Sequence, residues 1–173
     1  MNDHPVVRPA GVRALVTSLR IPEPFALPAF VSEVGDLIGR PIKTRPYPRR
    51  LVEAFRRNGE PLPYGLMLDT EKGVVIFYRA DTGPAHRQHV VLHELGHALC
   101  RHVTDPIDDQ DVDDPEVLGA ALRRSRYDNK QERAAELVAY LVQQRVGPLK
   151  MPSSGPARRE NDAAARFGSL LEG

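Results

Sequence analysis

Residues 89–102 read HVVLHELGHALCRH and hold four histidines and one glutamate. His93 and His97 are four positions apart. On an α-helix that spacing separates them by about 40° around the axis and one turn along it, so both imidazoles can reach one ion at about 2.0–2.1 Å. Glu94 follows the first of them, turned away from the ion but within reach of a water activated there. The pattern is H-E-x-x-H, two metal ligands and a general base on one helix. Val90, Val91, Leu95, Ala98 and Leu99 can pack such a helix while the histidines share a face. Gly96 costs about 1 kcal/mol of helix stability against alanine, which predicts the close approach of another helix. A purely structural helix gains nothing from burying two imidazoles and a carboxylate.

Two histidines do not close a catalytic zinc site, so a third ligand must come from elsewhere in the chain. His102 lies five past His97, about 140° around a helix, and faces away. The acidic stretch with Asp105, Asp108, Asp109, Asp111, Asp113 and Asp114 lacks the glycine and terminal glutamate of an EF-hand loop, which argues against calcium. It reads as a mobile, solvated loop. Further on, NKQERAAELVAYLVQQR carries Glu132 and Glu136 four apart on one helical face. Ala134, Ala135 and Ala139 are small enough to let that helix approach another. Glu132 is favoured as the third ligand, with Glu136 behind it orienting a ligand histidine. Leu137, Val138, Leu141 and Val142 make the buried side.

Two histidines, a glutamate and an open fourth position make a hydrolytic zinc site. Zinc polarises a carbonyl and acidifies water, and Glu94 carries the water's proton to the leaving amine. The resulting oxyanion needs a donor, for which Tyr127 and His89 are the candidates. Cys100, off the ligand stripe, reads as a small packed hydrophobe.

The elements that must position these residues can be read in outline. A helix is expected from Pro28, stopped by Gly39, with Val31, Val34, Leu37 and Ile38 at helical spacing. RPIKTRPY suggests a short strand and RRLVEAFRRN a helix. YGLMLD and GVVIFYR read as a hairpin, the second run apolar throughout. GVVIFYR is the strand expected to edge the cleft and pair with an extended substrate. Helices are expected over about 115–124 and 129–145, the latter ending at Gly147-Pro148. The fold class is α+β, a small three-stranded sheet packed beside the HExxH helix with a helical C-terminal half. The expected organisation is an irregular segment over 1–26 with one short helix at Val12–Leu19, a zincin-like domain over 27–146, and a flexible or short helical tail over 147–173.

The 173 residues suit one domain, and 41% hydrophobic with 27% charged residues is ordinary for a globular chain. A net charge of +1 gives no global reason for nucleic-acid or anionic-membrane binding. Lys43, Arg45, Arg49, Arg50, Arg56 and Arg57 form a basic run broken by Glu53, without interleaved aromatics or a DNA-binding motif, and read as a solvated surface. One cysteine precludes an internal disulfide. There is no apolar run of spanning length and no signal-peptide core, so a cytoplasmic location is expected.

HELGH followed by ERAAELVA resembles the ImmA/IrrE-type metallopeptidases, among the gluzincin-like zinc peptidases, with LHELGHALC and QERAAE similar to an actinobacterial branch. The resemblance covers about residues 27–146. It implies that Glu132, the first glutamate of E-x-x-A-x-x-F-A, is the third zinc ligand. Val138 stands where that pattern has an aromatic, and Glu136 where Asn or Asp is frequent. The implied activity is an intracellular endopeptidase acting on a regulatory protein such as a helix-turn-helix repressor. The competing reading is a regulatory or toxin-like binding module that keeps the zinc site with little proteolysis, its site blocked by the acidic loop or the tail. The intact Glu94 argues for the enzyme, because binding alone does not require that base.

Overall fold

The computed structural model describes residues 9–102 and 104–147. In chain order these form α1 (Pro9–Ser18), α2 (Leu27–Ile38), β1 (Ile42–Pro46), α3 (Arg49–Asn58), β2 (Gly65–Asp69), β3 (Val74–Tyr78), α4 (Pro84–Leu99), α5 (Pro115–Arg124) and α6 (Asn129–Val146). The architecture is α+β, with six helices and a mixed three-stranded sheet among the described residues.

Local chemistry sets the element boundaries. α2 carries proline in its first turn and stops at Gly39, whose φ of 71° is left-handed backbone that glycine adopts without strain. α5 starts on the Asp114 side chain, which accepts from the Glu116 amide. α6 starts on a capping box: Asp128 accepts from the Lys130 and Gln131 amides, and the Gln131 side chain returns to the Asp128 amide.

The strand order is β1-β3-β2, with β1 parallel and β2 antiparallel to β3. Gly65 pairs with Tyr78 and Asp69 with Val74. β3 is therefore bonded on both sides. That corrects the expectation for GVVIFYR: both its edges are taken, and the edge strand beside α4 is β2, whose outer edge is occupied at Asp69 by Thr104 and Ile107 and lines the cleft over Gly65–Met67. The apolar character of β3 follows from burial on both faces. Val74 and Ile76, with Met67 from β2, join a core built from α1, α2, α4 and α6. Val75 and Phe77, with Leu66 and Leu68, join a second core closed by α3 and α5.

The segment expected to be irregular, 1–26, carries α1, which begins at Pro9 rather than Val12. Val12, Val16 and Leu19 sit at i, i+4 and i+7, so one stripe faces the core, and they are 0%, 2% and 6% exposed. Arg145 of α6 binds the carbonyls of Val16 and Leu19 and ties the two helices together. The acidic stretch is also held rather than free. The Ile107 amide bonds the Asp69 carbonyl, the Lys72 amide bonds Asp109, Val112 is buried, and Arg45 of the basic run pairs with Asp113 at 2.8 Å. The tail beyond residue 147 lies outside the described residues.

Candidate metal centre

α4 and α6 cross where their side chains are smallest. A Cβ at Gly96 would lie 2.7 Å from the Ala135 carbonyl oxygen and 2.8 Å from its Cα. Such contacts are closer than any real methyl makes, so glycine is required there. Ala134, Ala135 and Ala139 are buried on the facing side of α6. This crossing carries Glu132, in the first turn of α6, up to the two histidines of α4. A carboxylate is favoured at that end of a helix, where the amide dipoles point toward it.

Three ligand atoms converge. His93 Nε2 lies 3.1 Å from His97 Nε2 and 3.2 Å from Glu132 Oε2, and His97 Nε2 lies 3.9 Å from the same oxygen. These atoms form the group among the described residues that could hold a metal ion. The point equidistant from the three lies about 2.0 Å from each, which is the length of a zinc–imidazole or zinc–carboxylate bond. Two ring nitrogens and an acidic oxygen facing one another need a cation or a proton between them, so the donor set fits a metal.

The surroundings set the protonation of each group. His97 is 1% exposed. Burial, then the neighbouring His93 and His102, pushes its pKa down to about 2, so the ring is neutral and keeps a lone pair for a metal at neutral pH. His93 is nearer the surface. Burial works to lower its pKa, but Glu136, Glu94 and Glu132 outweigh it and raise it. Glu94 is 7% exposed, and burial raises its carboxyl to about 7, the range suited to a group that both takes and gives a proton. Gly65 at the start of β2 makes room for it: a Cβ there would lie 2.5 Å from Glu94 Oε1.

The outer contacts differ from the sequence expectations in two places. Glu136 Oε2 lies 3.3 Å from His93 Nδ1 and 3.4 Å from His89 Nε2, and its pKa is lowered by hydrogen bonds from both rings. His89 Nδ1 lies 3.3 Å from Gln143 Oε1. Both His89 nitrogens are thus engaged by α6, which withdraws His89 as an oxyanion donor. Tyr127 stacks on His97, ring centroids 3.7 Å apart, and its hydroxyl is buried without a hydrogen-bond partner. Burial, then Glu94, Asp69 and Glu132, raises its pKa, so it stays a donor.

The second difference is His102. The geometry that turned it away assumed a continuing helix, but α4 ends at Leu99. Arg101 takes a left-handed φ of 56°, and the His102 amide returns to the His97 carbonyl at 3.0 Å. This is the helix-ending turn in which the second residue past the cap folds back on the last turn. It brings His102, 6% exposed, to a 2.9 Å contact between its Nδ1 and His97 Nδ1. The turn usually uses glycine, and arginine there leaves no signal in the sequence. Cys100 is buried, and burial raises its thiol to about 11, as a packed hydrophobe requires.

The ligand atoms face a cleft of about 670 Å³. Tyr64, Gly65, Leu66 and Met67 form one wall and Ser125, Arg126 and Tyr127 another, with Glu94 and Glu136 between. The acidic stretch packs against the sheet and does not line this cleft. No helix among the described residues is long and apolar enough to cross a membrane. No protein-family model, curated protein or solved structure matches the chain.

Proposed function

We propose that this chain is a cytoplasmic zinc-dependent endopeptidase of the ImmA/IrrE type that hydrolyses a peptide bond in a regulatory protein. The observation that carries the reading is the convergence of His93, His97 and Glu132, spaced for a metal, with Glu94 on the same helix and in the same cleft. Zinc held there supplies Lewis acidity to a peptide carbonyl and to water. The edge of β2 that lines the cleft, over Gly65–Met67, binds an extended substrate backbone by strand addition. Glu94 takes a proton from the attacking water on a carboxylate oxygen and returns it to the nitrogen of the departing amine. Tyr127, which lines the cleft beside His97, is the donor to the carbonyl oxygen as it gains negative charge. Glu136 orients His93 from behind. The regulatory substrate, a helix-turn-helix repressor, follows from the resemblance of HELGH and ERAAELVA to that family.

The test is cleavage of a proteome-derived peptide library by zinc-loaded protein, wild type against Glu94→Gln. The variant is expected to keep zinc and lose about 10²-fold or more of the cleavage rate. Zinc-loaded wild type that cleaves no peptide, or a Glu94→Gln variant that cleaves as fast, contradicts the enzyme and favours the binding-module reading.

A further inference from the structure

We propose that His102 is a positioning residue of the metal centre, holding His97 in the tautomer that presents Nε2 to the ion. The inference rests on the reading of His93, His97 and Glu132 as metal ligands.

A neutral imidazole carries one N–H. When His97 ligates through Nε2, its proton is on Nδ1 and must be donated. The atom within reach is His102 Nδ1, at 2.9 Å. His102 therefore accepts, and its own proton is on Nε2. Water cannot take its place, because His97 is 1% exposed and Tyr127 is stacked on the ring.

Two acceptors compete for the one proton of His97. His102 Nδ1 is on one side, and His93 Nε2 is 3.1 Å from the other nitrogen. With the proton on Nε2, His97 bonds to His93 and cannot ligate. With it on Nδ1, the lone pair faces the site. His102 thus decides between a closed and a metal-ready arrangement.

The backbone supports this role. The left-handed turn at Arg101 and the bond from the His102 amide to the His97 carbonyl tie the same two residues a second time. The remaining nitrogen of His102 is buried without a partner, a cost the fold carries to keep the ring in place. His93 has the corresponding arrangement at the rim, where its acceptor is the partly exposed carboxylate of Glu136. Deeper in the core an unpaired carboxylate would be costly, and a neutral imidazole accepts the same bond without a charge.

The test compares full-length wild type, His102→Phe and His102→Asn. His102→Phe keeps a ring of similar size and removes the acceptor. His102→Asn keeps an acceptor near the Nδ1 position. Zinc affinity is read by competition with a chromophoric chelator, and the His97 tautomer by ¹⁵N spectra of the metal-free proteins. Expected is a 10- to 100-fold loss of affinity in His102→Phe, with affinity in His102→Asn within about threefold of wild type. The His97 proton is expected on Nδ1 in wild type and on Nε2 in His102→Phe. Equal affinities in all three proteins overturn the inference. So does an equal loss in both variants accompanied by a fall in the melting temperature of the metal-free proteins, which assigns His102 to packing alone. Wild type that binds no zinc overturns the metal reading itself and this inference with it, an outcome distinct from the other two.

Discussion

The two faces of the sheet are both buried, but they are filled with different chemistry. On the α3–α5 face lie Leu51, Phe55, Leu68, Val75, Leu118 and Phe77, the last stacked on Tyr47 with centroids 5.7 Å apart. On the α4 face, Gln88, Glu94, His97 and His102 are buried beside an equally apolar core. Burying such groups is unfavourable unless each finds a partner. On the α4 face His97 meets His102 from the turn after α4, and Glu94 lies against the start of β2. The comparison teaches that one face holds the sheet together while the other uses the same packing to hold proton-active groups in place, and that the two should respond differently to the same kind of substitution.

Glycine gives the sharpest contrast, because Gly96 of α4 and Gly119 of α5 lie inside helices on opposite faces. Gly96→Ala places a methyl into the Ala135 backbone. It is expected to cost about 3 kcal/mol of stability and to weaken zinc binding by separating α4 from α6, read by urea denaturation and chelator competition. Leu51→Ala, on the opposite face, is expected to cost about 2.5 kcal/mol while leaving zinc affinity unchanged. A matching loss of zinc binding in Leu51→Ala would end the distinction between the faces. Gly119→Ala, in α5, has the smallest effect and the opposite sign. A Cβ there meets only ordinary contacts at 3.5 Å or beyond. Alanine's helix preference is therefore expected to raise stability by about 0.5–1 kcal/mol in the same denaturation series.

What could be read from the chain alone followed the range of the interaction. The pairing of His93 with His97, and of Glu132 with Glu136, is set within single helices and needs only the helical period. Gly96 pointed to a close helix approach because its cost in a helix asks for a reason, and Ala135 is that reason. Which strand edges the cleft was not legible. It depends on β1 pairing with the far side of β3, a contact between segments about thirty residues apart in sequence. The contacts of His89 were not legible either, because its partners, Glu136 and Gln143, lie on a distant helix. His102 was lost for a local reason: α4 stops without the glycine or proline that normally marks a helix end, and Arg101 adopts the left-handed turn instead. The short helix expected at Val12–Leu19 is α1, displaced to start at Pro9; what could not be read is its anchor, since Arg145 of α6, which binds the Val16 and Leu19 carbonyls, lies more than a hundred positions away.

The most direct test of the central claim is the metal content of protein purified without added metal, in wild type and in Glu132→Ala. The account predicts about one zinc ion per chain in wild type and a sharp reduction in the variant, because the remaining two histidines do not make a closed site. Wild type that takes up no zinc even when it is supplied, or a Glu132→Ala variant that holds zinc as tightly as wild type, would contradict it.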